Sequence, residues 1–285
     1  MTLKLAVPNK GRLNERSVEL LLKSGLDLGE DWGRKLYVTD KCHGIEVMFV
    51  RAQDIPEFVN SGAVDIGITG KDQVIESGYA LDYLLDLEFG HCRLSLAVPE
   101  ASGIKSAADV PSGSRVATSF PRTTKRFFDS KGKSVKIVPV SGAAEIMPYM
   151  GVSDMIVDLV SSGSTLKTNR LTELDRIIES QAVVVSKKGK GKDMESADIV
   201  DSIRSVITAE SKMYLMADIP KTSLGTVEVM FPGMAGPTVM NIAGSEDMVA
   251  IQVVINKTDV YDSVNELRRL GGKGILTLPI DRLVP

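Results

Sequence analysis

Short apolar runs alternate along most of this chain with segments of helical period, an alternation that restricts the fold to layered α/β structures built on mostly parallel strands. Leu3–Val7 reads as a first strand. A helical stripe over Leu13–Ser24 follows, with Leu13, Val18, Leu21 and Leu22 on one face and Gly25 placed to end it. Glu46–Val50 reads as a strand, Ile55–Ser61 as a short helix closed by Gly62, and Ala63–Thr69 as a strand ending at Gly70. A second set has the same texture: strand Arg115–Thr118, helix Thr123–Lys131, strand Val135–Val140, short helix Ala143–Met150 and buried strand Ser153–Val160. In both sets a short helix precedes a strand that opens on an aspartate, Asp65 or Asp154.

We therefore expect two similar lobes with a cleft between them. Lobe I takes residues 1–92 and 182–210, its second pass closed by a helix from about Ser196 to Glu210; lobe II takes 93–181. The near-identity of Leu3–Pro8 and Leu94–Pro99 reads either as a repeat or as coincidence between strand-rich segments. Leu94–Pro99 and Ala182–Ser186 are expected to carry the chain between the lobes and back. From about Ser211 the texture changes. Strand Lys212–Ala217, helix Gly225–Met230, extended segment Thr238–Ile242, strand Val249–Ile255, helix Val260–Leu270 and strand Ile275–Pro279 form a ferredoxin-like unit over residues 211–285. It holds no phosphate loop, which suits a regulatory or assembly domain.

Composition excludes several function classes. The net charge of −3 provides no global field for nucleic acid or anionic membrane. Lys187–Lys192 reads as a solvated turn or, without aromatic neighbours, as a weak nucleic-acid patch. Cys42 and Cys92, the only two cysteines, have no metal-ligand spacing. No apolar stretch is long enough to span a membrane, and Thr2–Pro8 reads as a core strand rather than a signal peptide. A cytoplasmic enzyme is the expectation. Gly132-Lys133-Ser134 lacks the leading glycine of a P-loop, and Gly189-Lys190-Gly191 lacks the third glycine of a dinucleotide fingerprint. His43 and His91, the only two histidines, read as structural or rim residues.

The segment with most chemistry is Asp158-Leu-Val-Ser-Ser-Gly-Ser-Thr-Leu166. A strand running into Ser161, Ser162, Gly163, Ser164, Thr165 and Leu166 offers close backbone approach, hydroxyl donors and a helix N-terminus, which together suit a phosphate monoester. The alternative is an N-capped helix after a strand. Asp154 and Asp158, four residues apart, are expected on one face of the strand, to hold ribose hydroxyls or a metal ion and its water. Lys10, Arg12, Arg16, Arg51 and Lys71 follow strands, where ligand sites of α/β proteins lie; each also reads as a solvated surface residue. Thr69-Gly70-Lys71-Asp72 mirrors the Ser/Gly loop in the other lobe.

Four ordered blocks, Pro8–Leu13, Arg51–Pro56, Val64–Asp72 and Asp158–Leu171, together with Pro232–Val239 and the Leu267–Ile280 ending, resemble the long form of ATP phosphoribosyltransferase. The resemblance implies two lobes similar to type II periplasmic binding proteins and a C-terminal ACT-like domain. It implies ATP and 5-phosphoribosyl 1-diphosphate in the cleft, Mg²⁺ as cofactor, and attack of adenine N1 on ribose C1′. Lys10, Arg12 and Arg51 would stabilise charge, Arg16, Gly70 and Lys71 would hold the nucleotide, and Glu145 or Asp72 would accept a proton near the adenine amino group. It further implies feedback by L-histidine, with Asp218 and Thr238 as contacts, and a homo-oligomer shifting between dimer and hexamer. A two-lobed ligand receptor would share the architecture without the catalysis.

Overall fold

A computed structural model describes residues 2–30, 32–191, 193–232 and 236–284. Part of the expected Pro232–Val239 block, residues 233–235, lies outside the described residues, as does Lys192. The chain falls into two compact units, Met1–Glu19 with Leu26–Val200 and Leu20–Gly25 with Asp201–Pro285.

The first unit begins with β1 (Lys4–Pro8), α1 (Gly11–Lys23), β2 (Tyr37–Thr39), β3 (Glu46–Val50), α2 (Ile55–Ser61), β4 (Ile66–Gly70), α3 (Lys71–Ser77) and β5 (Leu81–Asp86). It continues through β6 (Cys92–Pro99), β7 (Arg115–Thr118), α4 (Pro121–Ser130), β8 (Lys136–Pro139), β9 (Met155–Val160), α5 (Ser164–Thr168), β10 (Leu171–Ser180) and β11 (Ala182–Lys187), and α6 (Met194–Glu210) leads out of it. Two sheets result, one ordered β2-β3-β1-β4-β11-β5 and the other β10-β6-β9-β7-β8. Within them β3-β1-β4 and β8-β7-β9 are equivalent parallel triplets, each flanked by an antiparallel strand that crosses from the other side of the chain. The central strands are buried on both faces, which is why they read as unbroken apolar runs.

The two expected lobes are therefore present, and their repeat is structural. The backbone N–H of Lys4 donates to Asp65 Oδ2 at 2.8 Å while Asp65 N–H donates to the Lys4 carbonyl at 3.0 Å. Arg115 and Asp154 repeat the exchange at 2.7 and 2.9 Å. Each aspartate thus ties the start of one parallel strand to its neighbour.

Several expectations are corrected. Leu94–Pro99 is no linker: β6 is an interior strand of the second sheet, and only its first residues mark the crossing. The helix expected over Ala143–Met150 reduces to a 3-10 turn at Ala144–Ile146, because Ala143 enters it with φ +52° and Pro148 follows. β2, β5, α3 and the long β10 were not foreseen.

The second unit contains β12 (Lys212–Pro220), α7 (Leu224–Met230), β13 (Thr238–Asn241), β14 (Met248–Asn256), α8 (Val260–Arg269) and β15 (Lys273–Pro279). The antiparallel order β13-β14-β12-β15 with βαββαβ connectivity is the ferredoxin-like arrangement. Leu215, Ala217, Ile219, Ile251, Val253 and Leu267 close one face of this sheet. Among the described residues no helix is long and apolar enough to cross a membrane.

Candidate active site

The carboxyl ends of the two parallel triplets position the chemistry. In lobe II, β9 turns Met155 and Val157 into one core and Ile156 and Val160 into the other. Asp158 lies between the latter two by strand alternation, on the same face as Leu166 of α5, and is paired in register with Ser95 of β6. Desolvation, then repulsion from Glu145, raises its pKa to about 6, against one opposing hydrogen bond from the Leu159 N–H at 2.8 Å.

Beyond Val160 the chain leaves the sheet and Gly163 turns with φ +79° into α5. That backbone conformation favours glycine and brings the first turn of a helix to the strand's end, where the Ser164 N–H donates to Ser162 Oγ at 3.4 Å. Ser162 and Ser164 place their hydroxyl oxygens 3.0 Å apart. These two hydroxyls and that of Thr165 belong to exposed residues, whereas Leu166 is buried and anchors the turn. The Ser161 carbonyl accepts a hydrogen bond from Arg93 Nη1 at 2.9 Å.

In lobe I the ends of β1, β3 and β4 carry Lys10, Arg12, Arg51 and Lys71. All four are exposed and, among the described residues, make no ion pair. Asn14 holds the turn that presents the first two, donating from Nδ2 to the Pro8 carbonyl at 2.7 Å. Arg16 differs: it pairs with Glu19 at 2.6 Å and lies over the Phe89 ring at 5.9 Å. Gly70 is the N-cap residue of α3, so that Gly70-Lys71 occupies the place in lobe I that the Ser/Gly loop occupies in lobe II.

Two expected carboxylates stand elsewhere. Asp154 does not share a site with Asp158: it precedes β9 at the opposite end of the strand, in a two-point ion pair with Arg115 whose shorter distance is 2.7 Å. That pair holds its carboxyl below the usual range. Asp72 is only 4% exposed and accepts a hydrogen bond from the Ser180 hydroxyl at 2.6 Å, where the chain crosses between the lobes. Burial pushes its pKa up, despite the Ser180 and Gln73 hydrogen bonds. Burial and the nearby Asp72 charge likewise raise the free thiol of Cys92 to about 11. A cavity of about 400 Å³ opens at this crossing, between Lys71, His91, Arg93, Ser161 and Arg176. A larger hollow of about 680 Å³ lies against edge strand β2 and meets no carboxyl end of a parallel strand.

Arg93, Ser95, Glu173 and Glu76 were missed. Arg93 and Glu173 stand on β6 and β10, strands apart in sequence that only the fold brings together. The Glu76 carboxylate accepts the N–H groups of Arg122 and Thr123, both at 2.8 Å, so α3 of lobe I caps α4 of lobe II. In the second unit Asp218 and Thr238 lie on the sheet face turned away from the core, as their registers with Ala250 and Gln252 show.

The pattern of the ATP phosphoribosyltransferase family matches residues 51–208, and that of the HisG C-terminal domain matches 209–282. A Natronomonas pharaonis protein named ATP phosphoribosyltransferase is 45% identical over 283 residues, covering 99% of this chain and 100% of its own. The chain belongs to that family. A Gemmatimonas aurantiaca relative of the same name is 44% identical over 293 residues, with 99% and 100% coverage. Among solved structures, the ATP phosphoribosyl transferase (HisG:HisZ) complex of Thermotoga maritima contains a chain similar at TM-score 0.66 and 32% identity, covering 73% of this chain and 99% of that one. The substrate-binding protein of an amino acid ABC transporter matches at TM-score 0.50 and 14% identity over 74% of this chain and 95% of its own, a likeness of fold alone. Family membership makes the chain an enzyme of the pentosyltransferase class, and the match to the C-terminal domain fits the long form.

Proposed function

We propose that this chain transfers the 5-phosphoribosyl group of 5-phosphoribosyl 1-diphosphate to N1 of ATP, the first step of L-histidine biosynthesis, with its donor held on Asp158 and Ser161–Leu166. The observation that carries this placement is the glycine-turned loop at the carboxyl end of β9, with four exposed hydroxyl residues beside an inward carboxyl. Ser162, Ser164, Thr165 and the first N–H groups of α5 suit the 5′-phosphate, and Asp158 suits the ribose hydroxyls.

In the reaction the lone pair of adenine N1 forms the new bond to C1′ while the bond from C1′ to the diphosphate oxygen breaks, releasing pyrophosphate. Neutral N1 needs no prior deprotonation. Positive charge grows on the ribose ring and negative charge on the leaving diphosphate. Lys10, Arg12 and Arg51, which make no ion pair among the described residues, meet the latter, and Gly70 and Lys71 the triphosphate. Arg16, held by Glu19 and Phe89, borders the nucleotide rather than gripping it. Glu145 is the acceptor for a proton leaving the adenine amino group; buried Asp72 is not. Alignment of two bound substrates supplies much of the remaining rate.

Asp158, with the negative charge of Glu145 acting on it, would hold a Mg²⁺. Such an ion would supply neutralising charge for the leaving diphosphate. In the second unit, Asp218 and Thr238 on one sheet face suit the ammonium and polar atoms of L-histidine as inhibitor, in a homo-oligomer, dimer or hexamer. A biosynthetic role on ATP suits the cytoplasm.

The test mixes ATP, phosphoribosyl diphosphate and Mg²⁺ and follows N1-alkylated adenine by ultraviolet absorbance. Product is expected; binding without product would favour a receptor. Replacing Ser164 and Thr165 by alanine is expected to raise the donor KM by about 10-fold or more, with the ATP KM little changed. An unchanged donor KM would remove the loop from its role.

A further inference from the structure

The structure assigns Arg93 the role of positioning residue for the donor loop, acting through the Ser161 carbonyl and itself held by Glu173 and Ser95. The assignment rests on the loop's role as donor site.

Arg93 belongs to β6, directly opposite Val160, the last residue of β9 before the loop. Its Nε and Nη2 donate to the two carboxylate oxygens of Glu173, each at 2.5 Å. The third nitrogen, Nη1, donates to the Ser161 carbonyl. One planar guanidinium therefore spans two strands and the loop, leaving Glu173 as a fixed platform. Glu173 is fixed in turn, because Ser95 donates its hydroxyl to Glu173 Oε1 at 2.8 Å. The Arg93 hydrogen bonds, foremost, hold the Glu173 carboxyl below its usual range.

This geometry separates Arg93 from the uncommitted cations. Its charge is answered by Glu173, so it does not serve primarily as a phosphate ligand. The carbonyl it holds opens the turn that Gly163 completes, so the guanidinium ties the start of the loop back to the strand. Ser161 and Arg93 also share the wall of the cavity at the crossing between lobes. An anion in the loop thus meets a turn already ordered, which lowers the cost of binding it. Lysine at position 93 would keep the charge opposite Glu173 but lose the planar fork that reaches two partners at once.

The test compares Arg93→Lys, Glu173→Gln and the Ser164→Ala/Thr165→Ala pair in the full chain, by steady-state kinetics and by calorimetric titration with ribose 5-phosphate. Arg93→Lys is expected to raise the donor KM and the ribose 5-phosphate Kd about 10-fold, with kcat and the ATP KM within about 2-fold of the parent. Glu173→Gln should move the same constants in the same direction by less. If the loop pair weakens donor binding and neither Arg93→Lys nor Glu173→Gln does, the positioning role is wrong and the loop assignment stands. If the loop pair itself has no effect, the donor site lies elsewhere and both readings fall. A fall in kcat with both KM values unchanged would also overturn the positioning role. Should Arg93→Lys not fold, Glu173→Gln decides by the same criteria.

Discussion

Asp158 carries its proton to a pH where most aspartates have long lost it, with a pKa of about 6 against an ordinary 3.8. The folded chain therefore binds this proton more tightly than the unfolded chain. Stability is lost as pH rises through that interval, and the penalty is complete above about pH 6. The interval corresponds to at most about 3 kcal/mol. Asp158→Asn is expected to stabilise the protein by about 1–3 kcal/mol at pH 8 and to change nothing below about pH 4, as urea unfolding at the two pH values would show. Function should move the other way. Ribose hydroxyls and Mg²⁺ favour the ionised carboxylate, so kcat/KM for the donor should fall on the acid side with an apparent pKa near 6. The asparagine variant should be slow and lack that limb. A parent profile flat from pH 5 to 8 would sink the idea.

At the scale of elements, close packing explains both a prediction and the limits of reading the sequence. Gly67 sits in β4 under α2, and a Cβ there would fall 2.4 Å from Ile55 Cγ2 and 3.0 Å from Val59 Cγ2. Gly67→Ala is expected to cost about 1–3 kcal/mol by forcing the helix off the sheet, seen as a lowered Tm with an unchanged donor KM at low temperature. β3 and α2 were legible to the residue because their apolar runs end at unambiguous signals, the Asp54-Ile-Pro entry and Gly62 with φ +80°. β10 was not. Its register shifts between Glu173 and Asp175 and again between Arg176 and Ile178, so its side chains break the period-two pattern that marks a strand. The candidate site divides the same way. Loop hydroxyls and post-strand cations are contiguous in sequence and could be read from it. The Arg93–Glu173 fork and the Asp72–Ser180 bond join residues far apart in the chain, and Asp154 was misplaced because strand alternation does not say where a strand begins.

For the whole molecule, the sheet face of the second unit opposite its core carries exposed apolar side chains. Registers place Met216, Gln252 and Leu276 in one row and Tyr214 with Leu278 in another, on the face opposite the Leu215–Ile251 core. Leu276 is 55% exposed and Leu278 49%, high for leucines on a sheet. Exposed apolar residues on a face of this kind suit association with a second copy, and a symmetric pairing would bring Asp218 and Thr238 of two chains into the same environment. Leu276→Glu with Leu278→Lys places charge on that face without touching the opposite core. The expected result is a smaller particle by light scattering at equal protein concentration, with donor KM unchanged and sensitivity to L-histidine reduced, since ligand and assembly would be coupled through one surface. Asp218→Asn should instead reduce histidine sensitivity at constant mass. If the double variant keeps its mass, the open face is not where copies meet, and the histidine role of Asp218 then stands or falls on its own variant alone.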